Sequence, residues 1–184
     1  MPLSLKLHPQ SVCAAVSAID VAVTLPQPDT LALSYVVSGR IGNVRFPENA
    51  ASQRTDGLWQ HTCFEAFLRP FPAAGYCEFN FAPSTQWAAY QFDGYRAGMH
   101  PAAGIGAPEI AAQATDKTFR LEATLRWDRL SGLTHDAGWR LGLAAIVEET
   151  NGHKSYWALA HPPGKPDFHH ADCFALEFSQ ALTS

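Results

Sequence analysis

The chain has 184 residues, a length typical of one domain, and carries a formal charge of −4 with a pI near 6.0. Its 13 Lys and Arg residues form no basic stripe, which argues against nucleic-acid binding. No apolar run approaches the roughly 20 residues that span a bilayer, and the N-terminal segment lacks the unbroken apolar stretch of a signal peptide. We therefore predict a single-domain cytoplasmic protein with no membrane contact.

Short segments of alternating or β-branched residues, separated by Gly, Pro and Asn turns, predict about ten β-strands. In chain order, these predicted strands are Ile19–Leu25, Thr30–Val37, His61–Arg69, Tyr76–Ala82, Gln86–Phe92, Glu109–Ala114, Thr118–Arg126, Trp139–Glu149, Lys154–Ala160 and His169–Phe178. The segment Trp127–Leu130 predicts one short helical turn. The pattern is typical of an all-β fold, an antiparallel two-sheet β-sandwich of the immunoglobulin-like or jelly-roll-like kind, with a closed barrel as the alternative.

The four cysteines, at positions 13, 63, 77 and 173, have wide and irregular spacing. Zinc sites and disulfide frameworks both need closer or more regular spacing. The sequence therefore predicts reduced and mostly buried thiols.

Side chains along the central strands divide into two faces, because successive residues of a strand point to opposite sides of the sheet. If the phenylalanines of neighbouring strands share one face, Glu65 lies opposite Asn80 and Phe67 lies opposite Glu78. The preferred register of the next strand places Trp87 with the phenylalanines. The predicted polar face then holds Glu65, Glu78, Asn80 and Tyr90, with Arg120 and Glu122 as further candidates, and Cys63 and Cys77 point to opposite sides.

Two interpretations of this polar face stay open from sequence. It is either an ordinary solvated surface or a surface that faces a ligand. Glu and Asn are depleted in strands, and here they alternate with aromatic residues, which favours a ligand. Carboxylates and amides bond to hydroxyl groups while rings cover apolar C–H faces, so the pattern suits a saccharide or a similar polyol.

The sequence also contains residues that are typical of catalysis. The pair Glu65 and Glu78 permits a glycosidase hypothesis, which needs one acid and one base or nucleophile.

A second cluster has metal-capable side chains without a recognised ligand spacing, so we expect it to be structural. Its members are His161, Asp167, His169, His170 and Asp172. Trp59, His61 and Trp157 are candidates for ring platforms against a ligand, with burial in the core as the alternative.

Two long segments carry a family resemblance: LWQHTCFEAFLRP…GYCEFNFAPSTQWAAYQFDGYRAGM and SYWALAHPPGKPDFHHADCFAL. Together with an N-terminal LHP and a WDRL turn, they resemble bacterial DOMON-like proteins, a group related to the family 9 carbohydrate-binding modules. The resemblance implies an immunoglobulin-like β-sandwich whose concave face or rim binds sugar in some relatives and haem in others. Calcium is a further ligand in some sugar-binding relatives, and Met99 is the available methionine for a haem.

The sequence therefore predicts a non-catalytic module for a small, sugar-like ligand, with no established cofactor or oligomeric state. A haem-binding or redox module, a glycan-acting enzyme and a protein-interaction module are the alternatives. The resemblance matches Glu65, Glu78, Asn80, Trp87, Trp157 and His169 to family motifs. The full set of predicted ligand-binding residues is Trp59, His61, Glu65, Glu78, Asn80, Trp87, Tyr90, Arg120, Trp157 and His169.

Overall fold

The computed structural model describes residues 2–27, 29–126 and 138–178, and this part of the chain is all-β. Besides three isolated 3-10 turns, it contains twelve antiparallel strands. These are β1 (Leu3–Leu7), β2 (Val16–Gln27), β3 (Thr30–Gly39), β4 (Cys63–Pro70), β5 (Tyr76–Phe81), β6 (Trp87–Phe92), β7 (His100–Pro101), β8 (Glu109–Ala114), β9 (Thr118–Arg126), β10 (Trp139–Glu148), β11 (Lys154–Ala158) and β12 (Leu176–Phe178).

The predicted strands agree with the observed ones along most of the described chain. The predicted bounds of β8 and β9 match the structure. The hairpin between β10 and β11 is also confirmed, and Gly152 in its turn has a φ of +86°, a conformation that glycine adopts without strain. The sequence did not predict β1 or the two-residue β7. The predicted helical turn at Trp127–Leu130 lies outside the described residues.

The prediction of one long final strand over His169–Phe178 is wrong, because only its last three residues pair, as β12 with β10. Upstream of them, side chains take the backbone hydrogen bonds that a strand would need. The Asp167 carboxylate accepts a bond from the N–H of His169, and the His170 ring accepts one from the N–H of Asp172. Such local bonds favour turns over strands.

Strand β1 joins the two halves of the structure into one continuous sheet, because it pairs with both β2 and β11. The strand order is β7-β6-β5-β4-β10-β11-β1-β2-β3-β9-β8, with β12 beside β10. Leu3–Leu5 of β1 pair with β2, whereas Lys6 and Leu7 pair with β11. The sheet is curled like half a barrel, and a division into two separate sheets is not confirmed. That the whole chain forms one domain stays a prediction.

Curling brings the two halves of the sheet together around the main hydrophobic core. Phe64 of β4 is fully buried, and its ring stacks on Phe119 of β9 with centroids 5.9 Å apart. Tyr35 of β3 packs against Phe64 at 5.0 Å, and its hydroxyl group donates a 2.9 Å hydrogen bond to the backbone oxygen of Glu65. The core thus holds β4 firmly against the opposite half.

The predicted register of the central strands is confirmed. Glu65 pairs with Asn80, Phe67 pairs with Glu78, and Glu78 pairs with Tyr90 across the ladder. Trp87 lies in the main core, as expected. The four cysteines are free thiols.

The opposite face of the central strands is also covered. A second apolar cluster packs there, and Phe168 and Phe174 from the segment after β11 contribute to it. Strands β4 and β5 are therefore buried on both faces along nearly their whole length. A solvated outer face, one of the two interpretations left open by the sequence, is wrong for Glu65, Glu78 and Asn80, which are all buried. No helix in the described ranges is long and apolar enough to cross a membrane.

We predict that Phe64→Ala destabilises the protein by about 3–5 kcal/mol, because it leaves a cavity between the two halves of the sheet. Chemical denaturation measures this free energy of unfolding. Phe71→Ala is the matched control, since Phe71 is 53% exposed, and surface changes usually shift stability by less than about 1 kcal/mol. A loss for Phe64→Ala as small as that of the control would contradict this role.

Candidate functional site

A cavity of about 400 Å³ opens on the second face of the central strands. Its polar floor comes from Glu65 on β4 and Glu78 on β5. Tyr90 and Phe92 on β6, Ile146 on β10 and Tyr156 on β11 form walls. The rest of the lining comes from loops: Trp59 before β4, Arg96 and Met99 after β6, and Pro166, Phe168 and His169 after β11.

Glu65 is the most unusual group in this lining. The residue is only 3% exposed, yet no described residue makes a hydrogen bond to its carboxyl group. Burial raises the pKa of Glu65 well above its usual value, and the negative charge of Glu78 raises this pKa further, while Arg96 opposes both effects. A buried polar group normally finds a partner in the protein, so the open bonding capacity of Glu65 is directed at the cavity.

Glu78 is better supported. The side-chain amide of Asn80 donates a 2.7 Å hydrogen bond to one of its oxygens. Asn80 is itself fully buried and lies behind the cavity wall instead of lining it. Burial raises the pKa of Glu78, whereas the bond from Asn80 and the charge of Arg96 lower it. The two glutamates therefore differ in environment, with Glu78 the better stabilised as an anion.

His169 contributes a neutral ring to the cavity wall. Its Nδ1 atom lies 2.7 Å from the hydroxyl group of Tyr76, and its Nε2 atom lies 3.8 Å from a carboxylate oxygen of Glu78. Burial lowers the pKa of His169 to about 4, and Arg96 contributes to the lowering. At neutral pH the ring is uncharged and does not balance the charge of Glu78.

Arg96 is the cationic side chain of the lining, but it is already paired with Asp167, which lies outside the lining. Its Nε and Nη2 atoms donate hydrogen bonds of 3.2 and 2.8 Å to one oxygen of Asp167. The hydroxyl group of Tyr95 donates to the other oxygen of Asp167. Arg96 is therefore shared between Asp167 and the glutamate pair, and the pKa values of both glutamates stay raised despite its charge.

Aromatic rings surround the polar floor. The hydroxyl group of Tyr90 donates a 2.7 Å hydrogen bond to Asp56, which fixes the ring against the cavity. Of the lining residues, Trp59 is 51% exposed and Met99 is 58% exposed, so both lie at the mouth of the cavity. A buried polar floor with an exposed ring at the entrance suits a ligand that has both hydroxyl groups and apolar faces.

The structure thus brings five of the predicted site residues into the lining: Trp59, Glu65, Glu78, Tyr90 and His169. Trp87 and Trp157 lie in the main core instead. The guanidinium group of Arg54 covers Trp87 at 4.9 Å, and the Nε1 atom of Trp157 donates to the hydroxyl group of Ser155. Neither tryptophan provides a platform at the cavity.

His61 and Arg120 also lie away from this cavity. His61 forms a 2.7 Å contact through Nδ1 with Glu148 and borders a separate, smaller depression. Arg120 is on β9, in the other half of the sheet, where it is exposed and donates a hydrogen bond to Ser34 on β3. Strand parity correctly placed Arg120 on the face opposite the buried Phe119 and Leu121, but parity does not tell which half of the sheet a later strand joins.

Arg96, Phe92 and Phe168 are lining residues that the sequence did not indicate. Phe92 could have been found, because it lies two residues after Tyr90 on the same strand and shares its face. Arg96 and Phe168 lie on loops, which carry no periodic signal.

The predicted cluster of metal-capable side chains is divided among separate contacts. Asp167 binds Arg96, His169 faces the cavity, and His161 bonds to the backbone oxygen of Lys6. Within the described ranges, no group of three or more His, Cys, Asp or Glu side chains is arranged to hold a metal ion.

No protein-family model and no curated protein matches this sequence. Solved structures do share its fold. A Bacteroides uniformis protein, provisionally described as carbohydrate-binding, superposes with a TM-score of 0.67 at 13% identity, over 94% of this chain and 82% of its own. At that identity the likeness establishes a common fold.

Two structures of a family 9 carbohydrate-binding module from Caldicellulosiruptor kristjanssonii are more distant. The complex with cellotriose gives a TM-score of 0.49 over 88% of this chain and 75% of its own, and the complex with glucose gives 0.46 over 87% and 76%, both at 11% identity.

We predict that Glu65→Gln becomes more stable relative to wild type as the pH rises. The raised pKa means that the folded state holds the Glu65 proton more tightly than the unfolded chain does. The stability this proton supplies is complete below the usual value of 4.5 and is lost as the pH rises through the raised pKa. Denaturation of both proteins between pH 4 and pH 8 measures the difference.

Glu122→Gln is the matched control, because Glu122 is an exposed glutamate on β9. A stability difference between Glu65→Gln and wild type that stayed constant over this pH range would contradict the burial of an unpaired carboxyl group.

We also predict that the His169 ring stays neutral down to a pH of about 4. Its stabilising contribution is then present above the usual value of 6.5 and is lost as the pH falls toward 4. Titration of the ring resonances by NMR, with His169→Gln for assignment, measures the pKa. A midpoint at 6.5 would contradict the desolvation of the ring by its half-buried position.

Proposed function

We propose that this protein is a non-catalytic binding module and that its ligand is a saccharide or a similar polyol bound in the cavity above Glu65 and Glu78. The observation that carries the proposal is the Glu65 carboxyl group, which is buried in the cavity floor without a hydrogen bond from the described protein. Its bonding capacity is available only to what enters the cavity.

The polar groups of the cavity suit hydroxyl groups. A protonated Glu65 both donates and accepts, while the Glu78 carboxylate accepts and the neutral His169 ring has its Nε2 side toward Glu78. Saccharide hydroxyl groups also donate and accept, so one sugar ring could satisfy several of these groups at once. A purely apolar ligand would leave the Glu65 carboxyl group buried without a hydrogen bond, at a cost of about 1–3 kcal/mol.

The rings of the cavity suit the apolar faces of a sugar. Tyr90, Phe92 and Tyr156 form walls around the glutamates, and Trp59 stands exposed at the mouth. A volume of about 400 Å³ lies within the usual range for small-molecule sites. The fold shared with the Bacteroides uniformis protein is consistent with this function, since that protein is described as carbohydrate-binding.

Haem binding is a second candidate, because Met99 and His169 line the same cavity and this residue pair serves as axial ligands in some haem proteins. The residues fit haem less well than sugar. Met99 is largely exposed, the Nε2 atom of His169 faces Glu78, and two buried carboxyl groups would lie against an apolar ring system. A shift of the Soret band when the purified protein is mixed with haem would favour this candidate over sugar.

A glycan-acting enzyme fits the geometry less well than a binding module. Glu65 and Glu78 come from adjacent strands and both lie in the cavity floor. Glycosidases instead place two carboxyl groups on either side of the scissile bond. Hydrolysis of chromogenic glycosides by the wild type, and its loss in Glu78→Gln, would favour the enzyme.

Calorimetry and thermal-shift titration with a panel of mono- and oligosaccharides test the proposed function. We expect at least one sugar to bind and to raise the melting temperature at millimolar concentration. Glu65→Leu should abolish this binding while the protein stays folded, because an apolar side chain replaces a buried carboxyl group that has no partner. Trp59→Ala should weaken binding roughly threefold to tenfold through the loss of ring contact.

Phe71→Ala is the matched control for Trp59→Ala, since it removes an exposed ring that does not line the cavity. Glu122→Leu is the corresponding control for Glu65→Leu. A panel in which no saccharide binds, or binding that survives Glu65→Leu unchanged, would overturn the proposal.

A further inference from the structure

We infer that the cavity prefers a ligand with a primary ammonium group, such as an amino sugar, over the corresponding neutral sugar. This inference rests on the proposed function, because it names the class of saccharide that the same site would take. Three features of the cavity carry it: the charge balance of the lining, the open bonding capacity of Glu65, and the rings around both glutamates.

The charge balance of the lining is negative. Arg96 is bound to Asp167 through two hydrogen bonds, so these two charges offset each other. His169 lies half-buried beside Glu78, and its neutral ring supplies no positive charge. Among the described residues of the lining, no further Lys or Arg is present. Among the described lining residues, the glutamate pair therefore has no cation besides Arg96, which it shares with Asp167.

Glu65 supplies the vacant hydrogen-bond acceptor for such a cation. Its carboxyl group is at least nine-tenths buried, lines the cavity and receives no hydrogen bond from a described residue. Glu78 lies diagonally across the β4–β5 ladder from Glu65, because Glu65 pairs with Asn80, two residues along β5. An ammonium group between these side chains would donate to both, and bonds between charged groups are about twice as strong as neutral ones.

The rings add an attraction that a neutral ligand does not receive. Tyr90, Phe92, Tyr156 and Phe168 stand around the glutamates, with Trp59 at the mouth. A cation over the face of an aromatic ring gains about 0.5–2 kcal/mol from the ring's charge distribution. Carboxylates combined with several rings are a favourable arrangement for a ligand cation that has been removed from water.

A proton should leave the protein when the ammonium group binds. Burial and the charge of Glu78 raise the pKa of Glu65, and a nearby cation would lower it again. The other titratable groups packed around the pair are Tyr35, Cys63, Asp56, Tyr76, Tyr90, Arg96, Tyr156, Asp167 and His169. Burial raises the pKa of Cys63 and Tyr35 well above their usual values, so these two groups stay neutral.

Calorimetry on the full chain tests the inference with matched pairs of sugars: glucosamine against glucose, galactosamine against galactose, and mannosamine against mannose. The N-acetylated forms serve as uncharged controls that keep the nitrogen. At a pH of about 6, where an amine of this kind carries its proton, we expect one amino sugar to bind at least about tenfold more tightly than its neutral partner. Titration in two buffers of different ionisation enthalpy should show proton release with the amino sugar alone.

In Glu65→Gln we expect the ratio of the two affinities to fall toward one and the proton release to disappear, because the amide carries no charge. Glu122→Gln should leave the ratio as it is in wild type. If a neutral sugar binds as tightly as every amino sugar, or more tightly, the inference is overturned and the proposed function stands. If no saccharide of either kind binds, both are overturned.

Discussion

Strand β4 is buried on both of its faces, and both the main core and the cavity are built against it. Alternate side chains of this strand enter two different environments. Phe64 packs in the main core against the opposite half of the sheet, while its neighbour Glu65 lies in the floor of the cavity. Because Tyr35 bonds to the backbone oxygen of Glu65, the core also fixes the position of the carboxyl group on the far side. Packing on one face thus positions the polar floor on the other.

This arrangement has a cost that the fold itself does not explain. A carboxyl group buried without a partner destabilises a protein, and an apolar residue of similar size would fit the strand as well. Polar groups in such positions are characteristic of functional sites, where local stability is lost in favour of binding. Glu78 has Asn80 as a partner, whereas Glu65 has none among the described residues. The difference between these two glutamates is the structural basis of the proposed ligand site.

Much of the central sheet and part of the site could be predicted from sequence. Alternation of Phe with Glu and Asn gave the register of β4 and β5, since any slip by one residue would expose the aromatic side chains. The same reasoning found Glu65, Glu78 and Tyr90. It could not distinguish tryptophans in the core, such as Trp157, from one at a cavity mouth, such as Trp59, because parity assigns a face and not an environment.

The features that could not be predicted from sequence depend on long-range strand pairing and on loops. β1 is only five residues long, and its role in joining the two halves of the ladder depends on pairing with both β2 and β11. Arg96 reaches the cavity from a loop, where no periodicity exists to place it. We propose that Glu65 faces a bound saccharide, and a crystal structure of the protein with a bound sugar is the decisive experiment. We expect the sugar within hydrogen-bond distance of the Glu65 carboxyl group; sugar bound only elsewhere, for example beside Arg120 on the opposite half of the sheet, would contradict the proposal.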